Sequence, residues 1–230
     1  MERKYLARPP SLPRRLLSRW LALGRDYRNP AAEEAFVRAI AEQPPGAFCL
    51  SVGGGPARVY PRLINLNIGP YANVDVAGSA YALPFPAGSV DAVFCEAVLE
   101  HLELPDAAVG EMFRVLRPGG QVFAGTPFLQ AFHGYPSHYQ NFTLVGHERL
   151  FVRAGFEVLA SGTCVGPVRA LVDLVGAALA NLLPARLGRV AWHLWQILAR
   201  VVRPLDRWAG RHPRSHLVAS TTFVHGRKPA

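Results

Sequence analysis

Two stretches of the chain hold residues whose types and spacing suit chemistry. In the first, Ser51 is followed two residues later by Gly53-Gly54-Gly55. Residues without a Cβ let a backbone turn tightly and approach a ligand closely, so this triplet is a candidate cofactor cradle. The second is the run TPFLQAFHGYPSHYQNFT from Thr126 to Thr143, rich in aromatics and histidine. An imidazole exchanges a proton near neutral pH, which makes His133 and His138 candidates for a base or for acceptor contacts, with Tyr139 as an orienting partner. The bland alternative for both histidines is hydrogen bonding within an ordered loop. Glu100 with His133 and His138 matches no closed zinc spacing, and no metal is expected. His101 reads as a packing and positioning residue, and Cys95 as a buried, inert thiol.

The elements that must position these residues follow from hydrophobic period and turn chemistry. Phe48 to Val52 is a short apolar strand that runs straight into the glycines. Leu63 to Ile68, Val74 to Ala77 and Asp91 to Cys95 read as three further strands. Apolar spacing at Val109, Met112, Phe113 and Leu116 predicts a helix over Asp106 to Leu116, ended by Pro118-Gly119-Gly120 before a strand from Gln121 to Thr126. A helix from Thr143 to Ala154 and a strand from Phe156 to about Cys164 follow. The alternation points to an α/β fold with a mainly parallel sheet and ligands at the carboxyl ends of its strands. Only about ten residues separate the first two strands, too few for a full crossover helix, so the early crossovers are expected to be shortened or missing. N-terminal helices over residues 12–24 and from Pro30 to Glu42 are the candidates to cover the bared face. Two strongly apolar helices, Pro167 to Leu183 and Leu187 to Val202, precede a last strand expected at His216 to His225. We divide the chain into an N-terminal helical extension (1–45) and one α/β domain (46–230) with a helical insertion at about 167–203.

Half of the residues are hydrophobic and 18% are charged, which excludes global disorder. An excess of 25 basic over 16 acidic residues gives a net charge of +9 and favours anionic partners. Aromatics are not interleaved with the basic clusters, and nucleic acid is not expected. The apolar helices are interrupted by Arg169, Asp173, His193 and Arg200 and are not read as transmembrane. Arginines rimming them, with Arg14, Arg15 and Arg19, admit a peripheral contact with an anionic membrane surface; packing against the sheet is the favoured reading. Three scattered cysteines and the lack of a signal peptide point to the cytoplasm.

The order of motifs carries a resemblance. Asp75-Val76-Ala77-Gly78-Ser79-Ala80-Tyr81-Ala82-Leu83-Pro84-Phe85-Pro86, then Gly88-Ser89-Val90-Asp91, Glu100-His101-Leu102 and Arg114-Val115-Leu116-Arg117-Pro118-Gly119-Gly120 occur in series. Over roughly residues 48–164 the chain resembles the class I S-adenosylmethionine-dependent methyltransferases of the small-molecule type, with a Rossmann-like sheet. The resemblance implies methyl transfer from S-adenosylmethionine to a small-molecule or lipid-like acceptor. It also implies that Ser51, Gly53, Gly54 and Gly55 face the methionine moiety and that Asn67 meets the ribose. Ser79, Ala80 and Leu83 would flank the adenine, and Glu96 and Ala97 the sulfonium. Three positions depart from the family's acidic pattern, at Ser51, Asn67 and Ser79. A neutral acceptor contributes less than a charged one, about 0.5 to 1.5 against about 1.5 to 3 kcal/mol, so a weaker cofactor site is expected. A non-catalytic binding or scaffold protein on the same fold is the rival reading.

Overall fold

The structure is a computed structural model that describes residues 28–55, 60–134 and 137–230. The helix expected over residues 12–24 lies outside them. Seven strands form one sheet in the order β3-β2-β1-β4-β5-β7-β6. They are β1 (Cys49–Val52), β2 (Leu63–Asn67), β3 (Val76–Ala77), β4 (Val90–Glu96), β5 (Leu116–Pro127), β6 (Glu157–Val165) and β7 (Thr221–Arg227). All neighbours are parallel except β7, which runs antiparallel to β5 and β6. From β1 the chain steps outward to β2 and β3, then returns to β4 and proceeds the other way. The crevice at the carboxyl ends of β1 and β4 is therefore the topological switch point, where open α/β sheets bind ligands.

Every residue of β1 is buried, as a strand covered on both faces requires. On one face Leu50, Val93, Val109 and Met112 join a core with α2 (Pro105–Val115) and α3 (Leu144–Arg153). On the other, Cys49, Leu63, Ala92, Phe94 and Phe123 pack against α1 (Pro30–Phe36), which continues through one π turn at Val37–Ala41. Asn29 starts α1 by accepting from the Ala31 N–H, and Pro30 fits its first turn. Phe94 stacks on Phe123 with ring centroids 5.9 Å apart, and Phe36 meets both rings edge-on. Among the described residues no helix joins β1 to β2 or β2 to β3, and α1 supplies cover on that face instead.

Three boundaries differ from expectation for identifiable reasons. β3 shrinks to Val76–Ala77 because Val74 is held in a turn, its N–H donating to the Tyr71 carbonyl. β5 begins early, at Leu116, which pairs with Val90; Arg117 to Gly120 then bulge out, with Gly119 at φ +75°, before Gln121 pairs with Ala92. The last strand starts at Thr221, not His216: Ser215–Val218 form a 3₁₀ turn, and β7 is fixed by pairing from Thr221↔Pro127 to Arg227↔Gln121. The insertion is a helical hairpin, α4 (Pro167–Leu182) and α5 (Ala185–Val202). Gly188 lets the two helices close, since a Cβ there would sit 2.9 Å from the Ala180 carbonyl oxygen, and the Trp195 indole donates to the Val172 carbonyl at 2.8 Å.

Candidate active site

At the carboxyl end of β1 the glycine turn folds back over β2. Gly53 adopts φ +74°, and a Cβ there would lie 2.3 Å from Val98 Cγ2; one on Gly54 would lie 2.4 Å from Asn65 Oδ1 and 2.6 Å from Ser51 Oγ. Neither position admits a side chain unless the turn or the neighbouring Val98, Asn65 and Ser51 side chains shift. Asn65 Nδ2 donates to the carbonyls of Gly55 (2.9 Å) and Asn73 (2.8 Å), tying the turn to the β2–β3 connection. Its Oδ1 and the Ser51 hydroxyl oxygen are buried and lack partners among the described residues. Buried polar atoms are nearly always satisfied, so two orphans under a Cβ-free turn at the switch point suit a polar ligand. Asn67 ends β2 half-buried, its carbonyl accepting from Gly78 N–H at 2.9 Å.

The segment from Ser79 to Pro86 forms the next wall. Ser79 Oγ accepts from the Tyr81 N–H at 3.1 Å and so caps its own turn. Leu83 is buried, and its N–H donates to Glu111 Oε2 at 2.8 Å. Arg114 pairs with Glu111 one helical turn earlier and also donates to the carbonyls of Leu83 and Phe85, both at 2.9 Å. Asp91 works alike: it accepts from the Phe48 N–H at 2.7 Å and from Arg117, joining the start of β1 to the bulge in β5. The motif residues Glu111, Arg114 and Asp91 are thus fasteners of the site's walls. The backbone N–H of Phe48 and the Arg117 guanidinium hold Asp91 below the ordinary carboxylate range, against the opposing effect of burial.

At the end of β4, Ala97 takes the left-handed conformation at φ +55°, uncommon for a residue with a Cβ. Glu96 is paired with Arg28 at 2.6 Å, and the Cys164 thiol lies 3.9 Å from its other oxygen. Burial works against the Arg28 charge, yet the Glu96 carboxylate keeps the guanidinium above its ordinary value. Cys49, Cys95 and Cys164 are free and buried, and burial pushes the Cys164 thiol up to about 12.

The histidine loop closes on Glu100. The Glu100 side chain is wholly buried, neither oxygen has a hydrogen-bond partner in another described residue, and burial pushes its carboxyl up to about 7 against the opposing pull of its own backbone N–H. His101 Nε2 and His133 Nε2 each lie 3.8 Å from Glu100 Oε1. The other nitrogen of each ring meets a carbonyl: His101 Nδ1 at Ser137, and His133 Nδ1 at Ala131 (3.0 Å). A carbonyl only accepts, so each Nδ1 carries the proton and each Nε2 presents a lone pair toward Glu100. His138 is engaged at both nitrogens, Nδ1 accepting from the His133 N–H (3.2 Å) and Nε2 donating to Asn141 Oδ1 (2.7 Å). Tyr139 is exposed, and its backbone N–H donates to the Glu100 carbonyl at 2.9 Å.

Two residues escaped the sequence reading. Asn65 shares a strand face with Asn67, two residues on, and that period was a usable signal. Arg28 had none, because it meets Glu96 across 68 residues.

A methyltransferase-domain family profile matches residues 61–124. An uncharacterized methyltransferase of Mycobacterium sp. (strain KMS) is 36% identical over 110 residues, covering 40% of this chain and 44% of the relative. A probable S-adenosylmethionine-dependent methyltransferase of Mycolicibacterium smegmatis is 38% identical over 95 residues, covering 38% of this chain and 37% of the relative. The chain thus spans less than half the length of these curated relatives. Among solved structures, a putative methyltransferase of Bacillus halodurans superposes with a TM-score of 0.53 at 14% identity, over 86% of this chain and 99% of that one. The cyclase SpnF superposes with a TM-score of 0.54 at 19% identity, over 86% and 80%, so the fold by itself does not fix the reaction. Motif order, strand order and matched segment agree: residues 61–124 are similar to a methyltransferase domain, set in a Rossmann-like α/β sheet.

Proposed function

We propose that the chain transfers a methyl group from S-adenosylmethionine to a small-molecule or lipid-like acceptor. The observation that carries this reading is the pair of orphaned polar atoms, Ser51 Oγ and Asn65 Oδ1, beneath the glycine turn at the switch point. When bound, S-adenosylmethionine supplies an electrophilic methyl group on a cationic sulfonium. Ser51 and Gly53 to Gly55 would hold its amino-acid end, Asn67 the ribose, and Ser79, Ala80 and Leu83 the base. Glu96 and Ala97, at the end of β4, would lie nearest the reacting centre. Arg28 pairs with Glu96 there at 2.6 Å.

The histidine cluster would receive the acceptor. His133 Nε2 offers a lone pair, is half-exposed, and sits against Glu100, whose carboxylate would stabilise an imidazolium. His138 fixes the His133 backbone, and Tyr139 helps fix that of Glu100. A lipid-like acceptor is supported by the hairpin α4–α5, which exposes Leu171, Leu182, Leu187, Val190, Leu194 and Val201 beside Arg186 and Arg189. No helix among the described residues is long and apolar enough to cross a membrane. We place the protein in the cytoplasm, peripheral to an anionic surface.

The test is transfer of a labelled methyl group from S-adenosylmethionine into lipid and polar-metabolite extracts. His133→Ala should lower turnover about 100-fold while cofactor affinity stays within about twofold, as expected for loss of a positioned acid–base group. Unchanged turnover in His133→Ala would remove the histidine cluster from the reaction.

A further inference from the structure

We propose that Glu100, His101 and His133 form a binding site for a divalent first-row metal ion of the Zn²⁺ type, with an open coordination position. The three side chains can each present one ligand atom, all within 4.8 Å of one another. Their protonation pattern is that of a ligand set. Each imidazole donates its Nδ1 proton to a backbone carbonyl, which fixes the tautomer and leaves an Nε2 lone pair free, 3.8 Å from Glu100 Oε1. Glu100 adds a carboxyl oxygen that is fully buried and lacks a hydrogen-bond partner in any other described residue. Desolvating such a group is costly unless a cation or donor compensates, and among the described residues no Lys or Arg pairs with it.

Two neutral imidazoles and one carboxylate suit zinc, and three protein ligands leave a fourth position for water or substrate. Bonds of about 2.0 to 2.2 Å in a tetrahedral site put ligand atoms roughly 3.3 to 3.5 Å apart. The Glu100–His101 and Glu100–His133 distances of 3.8 Å must therefore close by about 0.3 to 0.5 Å, and the two imidazole nitrogens, within 4.8 Å of one another, must close to the same separation. His133, 40% exposed on its loop, has the freedom to do so. His138 is not a ligand, because both of its ring nitrogens are already committed.

Sequence spacing did not flag this set, since Glu100 and His101 are adjacent and His133 lies a whole helix and strand away. Metal binding itself does not depend on methyl transfer. Its use, rather, rests on that reading: the open position would receive the acceptor's donor atom, and His133 would then act as a ligand and not as the proton acceptor.

The experiment is calorimetric titration of the tag-free, metal-stripped full chain with Zn²⁺ in the absence of S-adenosylmethionine. Co²⁺ is then added as a spectroscopic probe. One equivalent should bind with micromolar or tighter affinity, and Co²⁺ should give the visible absorption of a low-symmetry N/O site. His133→Ala and Glu100→Gln should each weaken Zn²⁺ at least tenfold, while His193→Ala, on α5 and outside the cluster, should leave it unchanged. His133 is exposed enough for its variant to fold even if Glu100→Gln does not. Failure to saturate below millimolar Zn²⁺ in folded protein, or wild-type affinity in His133→Ala, overturns the site. Neither result bears on cofactor binding, which is read separately.

Discussion

Gly54 has room for a hydrogen and nothing larger. A methyl group there would meet Asn65 Oδ1 at 2.4 Å and Ser51 Oγ at 2.6 Å, so the turn or the two side chains beneath it would have to shift. Gly54→Ala should therefore weaken S-adenosylmethionine binding at least tenfold by calorimetry while the chain stays folded by circular dichroism. Unchanged affinity would detach the turn from the site. At this scale the sequence was legible where a residue type has few uses, as with three successive glycines or two histidines in one aromatic loop. It was silent where a role depends on distant partners. Glu111, Arg114 and Asp91 stood out as motif letters, but that they fasten Leu83, Phe85 and Phe48 is set by bonds spanning between 28 and 43 residues. The engagement of both His138 nitrogens, likewise, is a property of the folded loop.

α1 shows what an element does when a neighbour is shortened. The connections around β2 provide no helix among the described residues, and the sheet face bearing Cys49, Leu63, Ala92, Phe94 and Phe123 is buried by α1. Phe36 is the central contact, edge-on to Phe94 at 5.5 Å and to Phe123 at 5.8 Å. Phe36→Ala should cost about 3 kcal/mol of unfolding free energy in urea, the lower end for a core phenylalanine because the ring is only partly buried. A loss below about 1 kcal/mol would mean that α1 is dispensable as cover. Strand and helix identities were legible from period and punctuation, and the expected scarcity of crossover residues led to this packing arrangement. Strand ends were less legible: β3 and β7 are bounded by backbone hydrogen bonds of Val74 and by pairing to β5, neither of which leaves a local pattern.

Taken as a whole, the molecule buries titratable groups between its sheet and the helices on it. His147 is fully buried between Thr126 and Thr222, and burial pushes its imidazole down to about 3. Because the folded value lies below the unfolded one of about 6.5, the neutral ring's contribution is complete above about pH 6.5 and is lost as pH falls toward 3. Urea denaturation between pH 6 and 4 should show wild-type stability falling about 1.4 kcal/mol per pH unit more steeply than that of His147→Gln. Parallel slopes would place His147 in contact with solvent. The central claim is that the switch-point crevice binds S-adenosylmethionine although Ser51, Asn67 and Ser79 replace acidic groups. Calorimetric titration of the full chain with S-adenosylmethionine, and separately with S-adenosylhomocysteine, tests it most directly. The account predicts one site of micromolar affinity for either ligand; no binding up to millimolar concentration, in protein shown to be folded, would contradict it.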